Sequence, residues 1–187
     1  IDAGDPDTVY VTLHSEDDAG VGTLLLATST DGGATFTTKP LYIGGTSETQ
    51  DADVVSGKPG SVTVAAPAVW LDPTTGAAGA TLFVWTDDAK GAGFGAPAAI
   101  ENGYDGQAAP GLELRLGDGR LIETNEGRTG PQLATNGAGM VCLTSSDYAL
   151  NGGEEPLTLR CSKDAGATFG DAVPLVLLPV SEPVVQA

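Results

Sequence analysis

The sequence predicts an all-β fold of short antiparallel strands arranged as repeats. Three observations point there. Glycine (27) and proline (12) are spread along the 187 residues rather than clustered, which suits many strands joined by tight turns rather than a disordered tail. No stretch longer than two turns carries apolar residues at the helical period. And an octapeptide occurs twice, each time after an apolar, strand-like run.

The first copy is Ser29-Thr30-Asp31-Gly32-Gly33-Ala34-Thr35-Phe36, preceded by Thr23-Leu24-Leu25-Leu26-Ala27. The second is Ser162-Lys163-Asp164-Ala165-Gly166-Ala167-Thr168-Phe169, preceded by Leu157-Thr158-Leu159-Arg160-Cys161. Both fit S-x-D-x-G-x-T-F. The aspartate side chain can accept N–H groups of its own turn, the glycine permits a backbone angle that a Cβ resists, and the threonine hydroxyl bonds back. The aromatic residue is expected to anchor the turn beneath the sheet. The motif therefore reads as a structural device rather than a ligand site. A degenerate third copy, Trp85-Thr86-Asp87-Asp88-Ala89-Lys90-Gly91-Ala92-Gly93-Phe94, keeps Thr86, Asp88, Gly91 and Phe94 with one extra residue.

These octapeptides resemble the Asp-box of sialidases and related β-propellers, the BNR repeat, which lies between the third and fourth strands of a blade. The flanks are similar to that family too. Ser47-Glu48-Thr49-Gln50 and Ser181-Glu182-Pro183-Val184 resemble the Ser-Glu-x-Pro phrase at which such chains enter the inner strand of the next blade. The resemblance implies β-propeller-type blades of four-stranded antiparallel sheets with Asp-box turns, about three of them, over residues 8–43, 51–100 and 131–178.

Strands are expected at 9–15, 23–28 and 40–43 in the first blade, which lacks an inner strand. The second has 51–55, 61–71, 80–86 and 97–100, and the last 132–136, 140–145, 157–162 and 173–178. An extra hairpin at 111–126 is expected because Leu112-Glu113-Leu114-Arg115-Leu116 and Arg120-Leu121-Ile122-Glu123-Thr124 flank Gly117-Asp118-Gly119, whose Asp-Gly pair favours a tight turn. A β-propeller needs four to eight blades to close. Either the C-terminal stretch 183–187 completes blade one, or the chain is a piece of a larger propeller or one partner of an assembly; the second is preferred, because bare repeat ends expose apolar faces and strand edges. The first residues do not read as a signal peptide, so a processed or trimmed chain is expected.

Cys142 and Cys161 fall in two strands of a hairpin centred near Asn151-Gly152, where they would stand opposite one another within disulfide reach. Such a bond implies an oxidising compartment, hence an extracellular, cell-surface or periplasmic location. No zinc or CxxC site is expected from two cysteines at this spacing and one histidine.

The net charge is −17, from 25 acids against 8 basic residues. Such a surface repels nucleic acid and anionic lipid, and no apolar run is long enough to span a membrane as a helix. Most acids are expected to serve solubility. Ca²⁺ binding is a secondary expectation, not a requirement, since no strict D-x-D-x-D-G loop occurs.

The resemblance implies sialidase activity first. That family holds its substrate carboxylate with three arginines, one in an Arg-Ile-Pro phrase, and no such phrase occurs here. Arg115, Arg120, Arg128 and Arg160 match none of its motifs. Tyr104, Glu123 and Glu126 have the right residue types for its nucleophile and partners but sit in no matching motif. His14 lies mid-strand with no G-x-S-x-G elbow, so it reads as a satisfied strand histidine. Trp70 and Trp85 lie in strand patterns and read as core, whereas Tyr104 and Tyr148 lie in loops and are the weak candidates for ligand contact. The expected function is a non-catalytic extracellular module that binds protein or glycan, or builds a cell-surface assembly. The alternative is a sialidase-like glycoside hydrolase whose active-site residues lie outside this chain.

Overall fold

The protein is all-β. A computed structural model describes residues 1–18, 22–44, 52–71, 78–102, 113–115, 121–123, 131–146 and 157–175, and these contain no helix. The first sheet has three antiparallel strands in the order β1 (Val9–Glu16), β2 (Gly22–Ser29), β3 (Thr37–Gly44). The second has four, β4 (Asp53–Val55), β5 (Val62–Leu71), β6 (Ala78–Asp87) and β7 (Ala98–Asn102), again in chain order. A separate two-stranded pair, β8 (Glu113–Arg115) and β9 (Leu121–Glu123), aligns Leu114 with Ile122. The third four-stranded sheet is β10 (Gln132–Thr135), β11 (Val141–Ser146), β12 (Leu157–Ser162) and β13 (Val173–Leu175). β3 begins three residues before the expected position 40, because its pairing with β2 reaches up to Thr28–Thr37, directly beside the octapeptide.

Strand alternation decides which face each residue occupies. In β2 the pattern places Leu24 and Leu26 on one face, fully buried, with half-buried Leu25 between them. Leu24 and Leu26 join Tyr10 from β1 and Val62, Val64, Ala66 and Trp85 from the second sheet in one core. Tyr42 extends this seam, its ring centroid lying 6.2 Å from that of Phe83 and 6.3 Å from that of Trp85. The opposite face of the second sheet, through Ala65, Leu82 and Val84, packs on Leu143, Leu133 and Phe169 of the third. The three sheets thus stack in chain order, the second with one face toward the first and the other toward the third. Trp85 is core, 1% exposed; the side chain of Trp70 lies outside the described residues, its backbone being in β5.

The inner edges meet in the same order. Thr12 Oγ1 of β1 donates to the Ala52 carbonyl beside β4 at 3.3 Å, and Leu133 N of β10 donates to Asp53 Oδ2 of β4 at 2.7 Å. In the first sheet, β1 is the edge where β4 and β10 stand in the others.

Candidate functional site

The most distinctive chemistry lies in three turns, one per sheet, at the same corner. Each follows the strand next to last in its sheet. Cross-strand register sets the correspondence: Val9 faces Ser29, Val62 faces Asp87 and Val141 faces Ser162.

In the first turn Ser29 Oγ accepts the amides of Asp31 (3.3 Å) and Gly33 (2.9 Å) and donates to Asp31 Oδ1 (2.7 Å). Asp31 also accepts Thr35 N at 2.9 Å and Thr35 Oγ1 at 2.6 Å. The third turn repeats the set. Ser162 Oγ accepts Asp164 N (3.2 Å) and Gly166 N (2.8 Å) and donates to Asp164 Oδ1 (2.6 Å). Asp164 accepts Thr168 N at 2.9 Å and Thr168 Oγ1 at 2.6 Å. Hydrogen bonds to the charged form favour it. The Thr35 hydroxyl and amide, with Ser29, therefore hold Asp31 down at about 2, and Ser162 with Thr168 holds Asp164 at about 2.

The turn of the second sheet is in a different register from the one the sequence suggested. Its organising carboxylate is Asp87, not Asp88. Asp87 Oδ2 accepts Ala89 N at 3.0 Å and Gly91 N at 2.6 Å, the two amides that Ser29 and Ser162 accept elsewhere. The octapeptide accordingly runs from Asp87 to Phe94, with Thr86 still in β6 and no extra residue. Its acid has moved from the third position to the first, Ala89 stands in the aspartate's place and Gly93 in the threonine's. Backbone angles agree. Positions four and five are left-handed in all three turns: Gly32 and Gly33 (φ 69 and 90), Lys90 and Gly91 (54 and 82), Ala165 and Gly166 (61 and 93). Lys90 and Ala165 adopt this conformation despite a Cβ, which disfavours it.

The position-four amide has a constant partner. Gly32 N donates to Asp7 O at 2.8 Å, Lys90 N to Gly60 O at 2.9 Å and Ala165 N to Gly139 O at 2.8 Å. Each acceptor lies in the turn that leads into the strand opposite the octapeptide. Adjacent units are then joined: Gly139 N donates to Gly57 O at 2.7 Å, and buried Thr63 Oγ1 donates to Ala165 O at 2.8 Å.

Buried Asp2 does similar work for the first two sheets. Burial pushes its carboxyl up, but the amides of Gly4 and Gly60, the Tyr10 hydroxyl and Ser56 outweigh this and hold it below the ordinary value. Gly60 N lies 2.9 Å and Tyr10 Oη 3.1 Å from Asp2 Oδ2. Burial and the hydrogen bond to Asp2 in turn raise the Tyr10 phenol. Lys90 Nζ donates to Asp5 Oδ2 at 2.8 Å, an exposed pair.

A cleft of about 280 Å³ opens between the second and third turns, lined by Lys58, Ser61, Thr86, Asp87, Asp88 and Asp164 among others. It is small, shallow and acidic. Asp164 is committed to its own turn, and no group of three or more His, Cys, Asp or Glu able to hold a metal is present among the described residues.

Cys142 and Cys161 are bonded, with Cα atoms 4.1 Å apart in directly opposed positions of β11 and β12. His14 is half-buried on the face shared with Leu24, and its Nε2 has no hydrogen-bond partner among the described residues, nor has Trp85 Nε1. Arg160 is half-buried in β12. Arg115 and Glu123 fall in the β8–β9 pair by backbone alone, and Tyr104, Arg120, Glu126, Arg128 and Tyr148 lie outside the described residues. Sequence reading missed Asp2 and Asp87. Asp87 carried a signal: it precedes Phe94 by the interval that separates Ser29 from Phe36.

No family model matches this chain, and no curated protein does either.

Proposed function

We propose that this chain is a non-catalytic module of an Asp-box β-propeller, which works outside the cytosol and binds a protein or glycan partner or builds a surface assembly. One observation carries the reading. Three turns of equal length share two hydrogen-bonded amides, a left-handed residue pair and a tie to the opposing turn, each at the same corner of consecutive, face-packed sheets. Repeated units of this kind make a stiff scaffold whose connecting segments can vary without cost to the core.

The disulfide supports an oxidising location. Among the described residues no helix is long and apolar enough to cross a membrane. The carboxylates at the turns act as local acceptors, which supports a structural role for them. Tyr104 and Tyr148 remain the weak ligand-contact candidates.

A glycan array and a fluorogenic sialoside assay on the same preparation test this. Retention on a glycan or a defined protein ligand without sialoside turnover is expected. Sialoside hydrolysis that scales with protein and survives repurification overturns the non-catalytic reading in favour of a sialidase-like hydrolase.

A further inference from the structure

We propose that Asn136-Gly137, in the turn between β10 and β11, is a latent site of spontaneous covalent modification. The turn's own hydrogen bonds hold the site unreactive, and its isoaspartyl product loosens the joint between the second and third sheets. The reaction class is cyclisation of an asparagine onto the next backbone amide, followed by addition of water.

Asn136 stands where the first two sheets have glycine. Val9, Val62 and Val141 hold equivalent register positions, and the fifth residue before each is Gly4, Gly57 and Asn136. Of the three turns, only the last therefore carries a carboxamide at this place. Its neighbour is a glycine, whose nitrogen is the least hindered because no Cβ crowds it. In the reaction the Gly137 nitrogen gives up its proton and bonds to Asn136 Cγ. The carboxamide C–N bond breaks, and its nitrogen leaves as ammonia, taking up that proton. Water then opens the succinimide at one of its two carbonyls. One opening gives aspartate at 136. The other gives isoaspartate, whose main chain runs through Cβ and Cγ and is one methylene longer. Nothing is oxidised or reduced.

Both reactants are occupied in the folded turn. Gly137 N donates to Thr135 Oγ1 at 3.0 Å, and that hydroxyl is itself oriented by donating to Met140 O at 2.9 Å. Asn136 Oδ1 accepts Ala138 N at 2.9 Å and Met140 N at 3.1 Å, so the side chain stands in for main-chain acceptors of the turn. Deprotonating the nitrogen and swinging the carboxamide carbon onto it require these bonds to open. Local opening of the turn therefore sets the rate.

The product matters because of what the turn joins. Two residues beyond Gly137, Gly139 N donates to Gly57 O at 2.7 Å and Gly139 O accepts Ala165 N at 2.8 Å. Gly137 and Gly139 are both left-handed (φ 70 and 102), and this path delivers Gly139 to both partners. Aspartate at 136 keeps an acceptor oxygen for Ala138 and Met140 and leaves the path as it is. Isoaspartate lengthens the main chain just before Gly137, which displaces Gly139 from its two partners.

A time course at mildly alkaline pH on the full chain, native and in urea, is the test. Peptide mass and enzymatic isoaspartate methylation read residue 136, resolved from Asn102-Gly103 and Asn151-Gly152, which carry the same dipeptide. Modification at 136 is expected to be slower in the native chain by about tenfold or more, in step with hydrogen exchange at the Gly137 amide. Thr135→Val removes the acceptor and raises the native rate toward the urea value, whereas Thr135→Ser keeps the hydroxyl and the protection. The isoaspartyl fraction unfolds at lower urea than the parent, and Asn136→Asp, which stands for the aspartyl product, does not. Should Thr135→Val lack native circular dichroism, the native-to-urea ratio of the parent decides. Equal rates in the native and urea-unfolded chain overturn the inference, as does a Thr135→Val rate equal to the parent's. An isoaspartyl fraction as stable as the parent overturns the role of the joint. None of these readouts involves ligand binding, so failure here is separate from failure of the binding-module reading.

Discussion

Asp87 Oδ2 takes the amide of Gly91 at 2.6 Å, in the position where Ser29 Oγ takes the amide of Gly33 at 2.9 Å. A carboxylate has replaced a hydroxyl without altering the path of the backbone. The substitution has consequences around it. A Cβ on Gly93 would lie 3.0 Å from Asp87 Oδ1, so the threonine found at this place in the other two turns is crowded beside Asp87 and requires its carboxylate to shift. Gly93→Thr alone is therefore expected to destabilise by about 1–2 kcal/mol through overpacking. The triple variant Asp87→Ser, Ala89→Asp, Gly93→Thr rebuilds the full hydrogen-bond set and is expected to lie within about 1 kcal/mol of the parent, a non-additivity typical of residues in contact. Urea unfolding of the single and triple variants decides this, and an additive loss would sink the proposed correspondence.

Acid titration follows from the same turns. Asp31 and Asp164 ionise at about 2 in the folded chain, below an ordinary value of 3.8, and Asp2 and Asp5 are also depressed. Groups whose folded values are lowered contribute stability that is complete above the unfolded value and is lost as pH falls toward the folded one. The loss from Asp31 and Asp164 therefore falls between about pH 4 and pH 2. Above that window the dominant effect is repulsion among excess acids, which eases as pH drops toward the isoelectric point near 4.1. Stability should rise slightly from pH 7 toward about 4.5 and then decline, and salt should flatten the rise but not the decline. Asp31→Asn should make the decline shallower. Denaturant midpoints across pH at two salt concentrations measure both limbs, and continued stabilisation below pH 3 is incompatible with these hydrogen bonds.

Ser162 is the better of the two serines for measuring what a turn contributes. Its hydroxyl satisfies the buried Gly166 amide at 2.8 Å, and Ser162 itself is 1% exposed. Ser162→Ala leaves that N–H without a partner, a loss of about 1–3 kcal/mol. Ser29→Ala should cost less, because Gly33 is only half-buried and water can replace the hydroxyl. Equal losses from the two variants in thermal or urea unfolding would show that burial does not set the cost.

The strands were legible in the sequence because their faces differ in chemistry. Leu24 and Leu26 alternate with residues of other exposure, and the two intact octapeptides announce their turns through side chains that bond within eight residues. The opposed positions of Cys142 and Cys161 also follow from a hairpin register that local spacing sets. What escaped was non-local or chemically substituted. Asp2 earns its burial from Gly60, 58 residues away, and no local pattern marks such a partner. Asp87 is hard to tell from Asp88 because adjacent aspartates are equivalent as letters; the interval to Phe94 is the one local cue, and the opposition of Asp87 to Val62 agrees with it. The exposure of Phe36, 45%, was likewise invisible, since its octapeptide matches that of Phe169, which packs against the core.

The disulfide sits where the other two sheets hold Tyr10 opposite Thr28 and Thr63 opposite Thr86, pairs that function without a covalent bond. The sheet geometry at this position is thus independent of the cross-link, and Cys142–Cys161 acts mainly on the unfolded chain. Its closed loop, with a sequence separation of 19, corresponds to about 3 kcal/mol in the chain-entropy model. Cys142→Ser with Cys161→Ser, and reduction of the parent chain, should both lower unfolding stability by about this amount. The two treatments should agree to within about 1 kcal/mol and leave the native far-ultraviolet spectrum unchanged. Cys142 and Cys161 are half-buried rather than fully enclosed, so reduction should proceed without global unfolding, at a rate set by thiolate concentration rather than denaturant. A reduced chain that loses its β spectrum under native conditions would contradict this, since it would mean that the bond holds the register of β11 and β12 rather than limiting the freedom of the unfolded state.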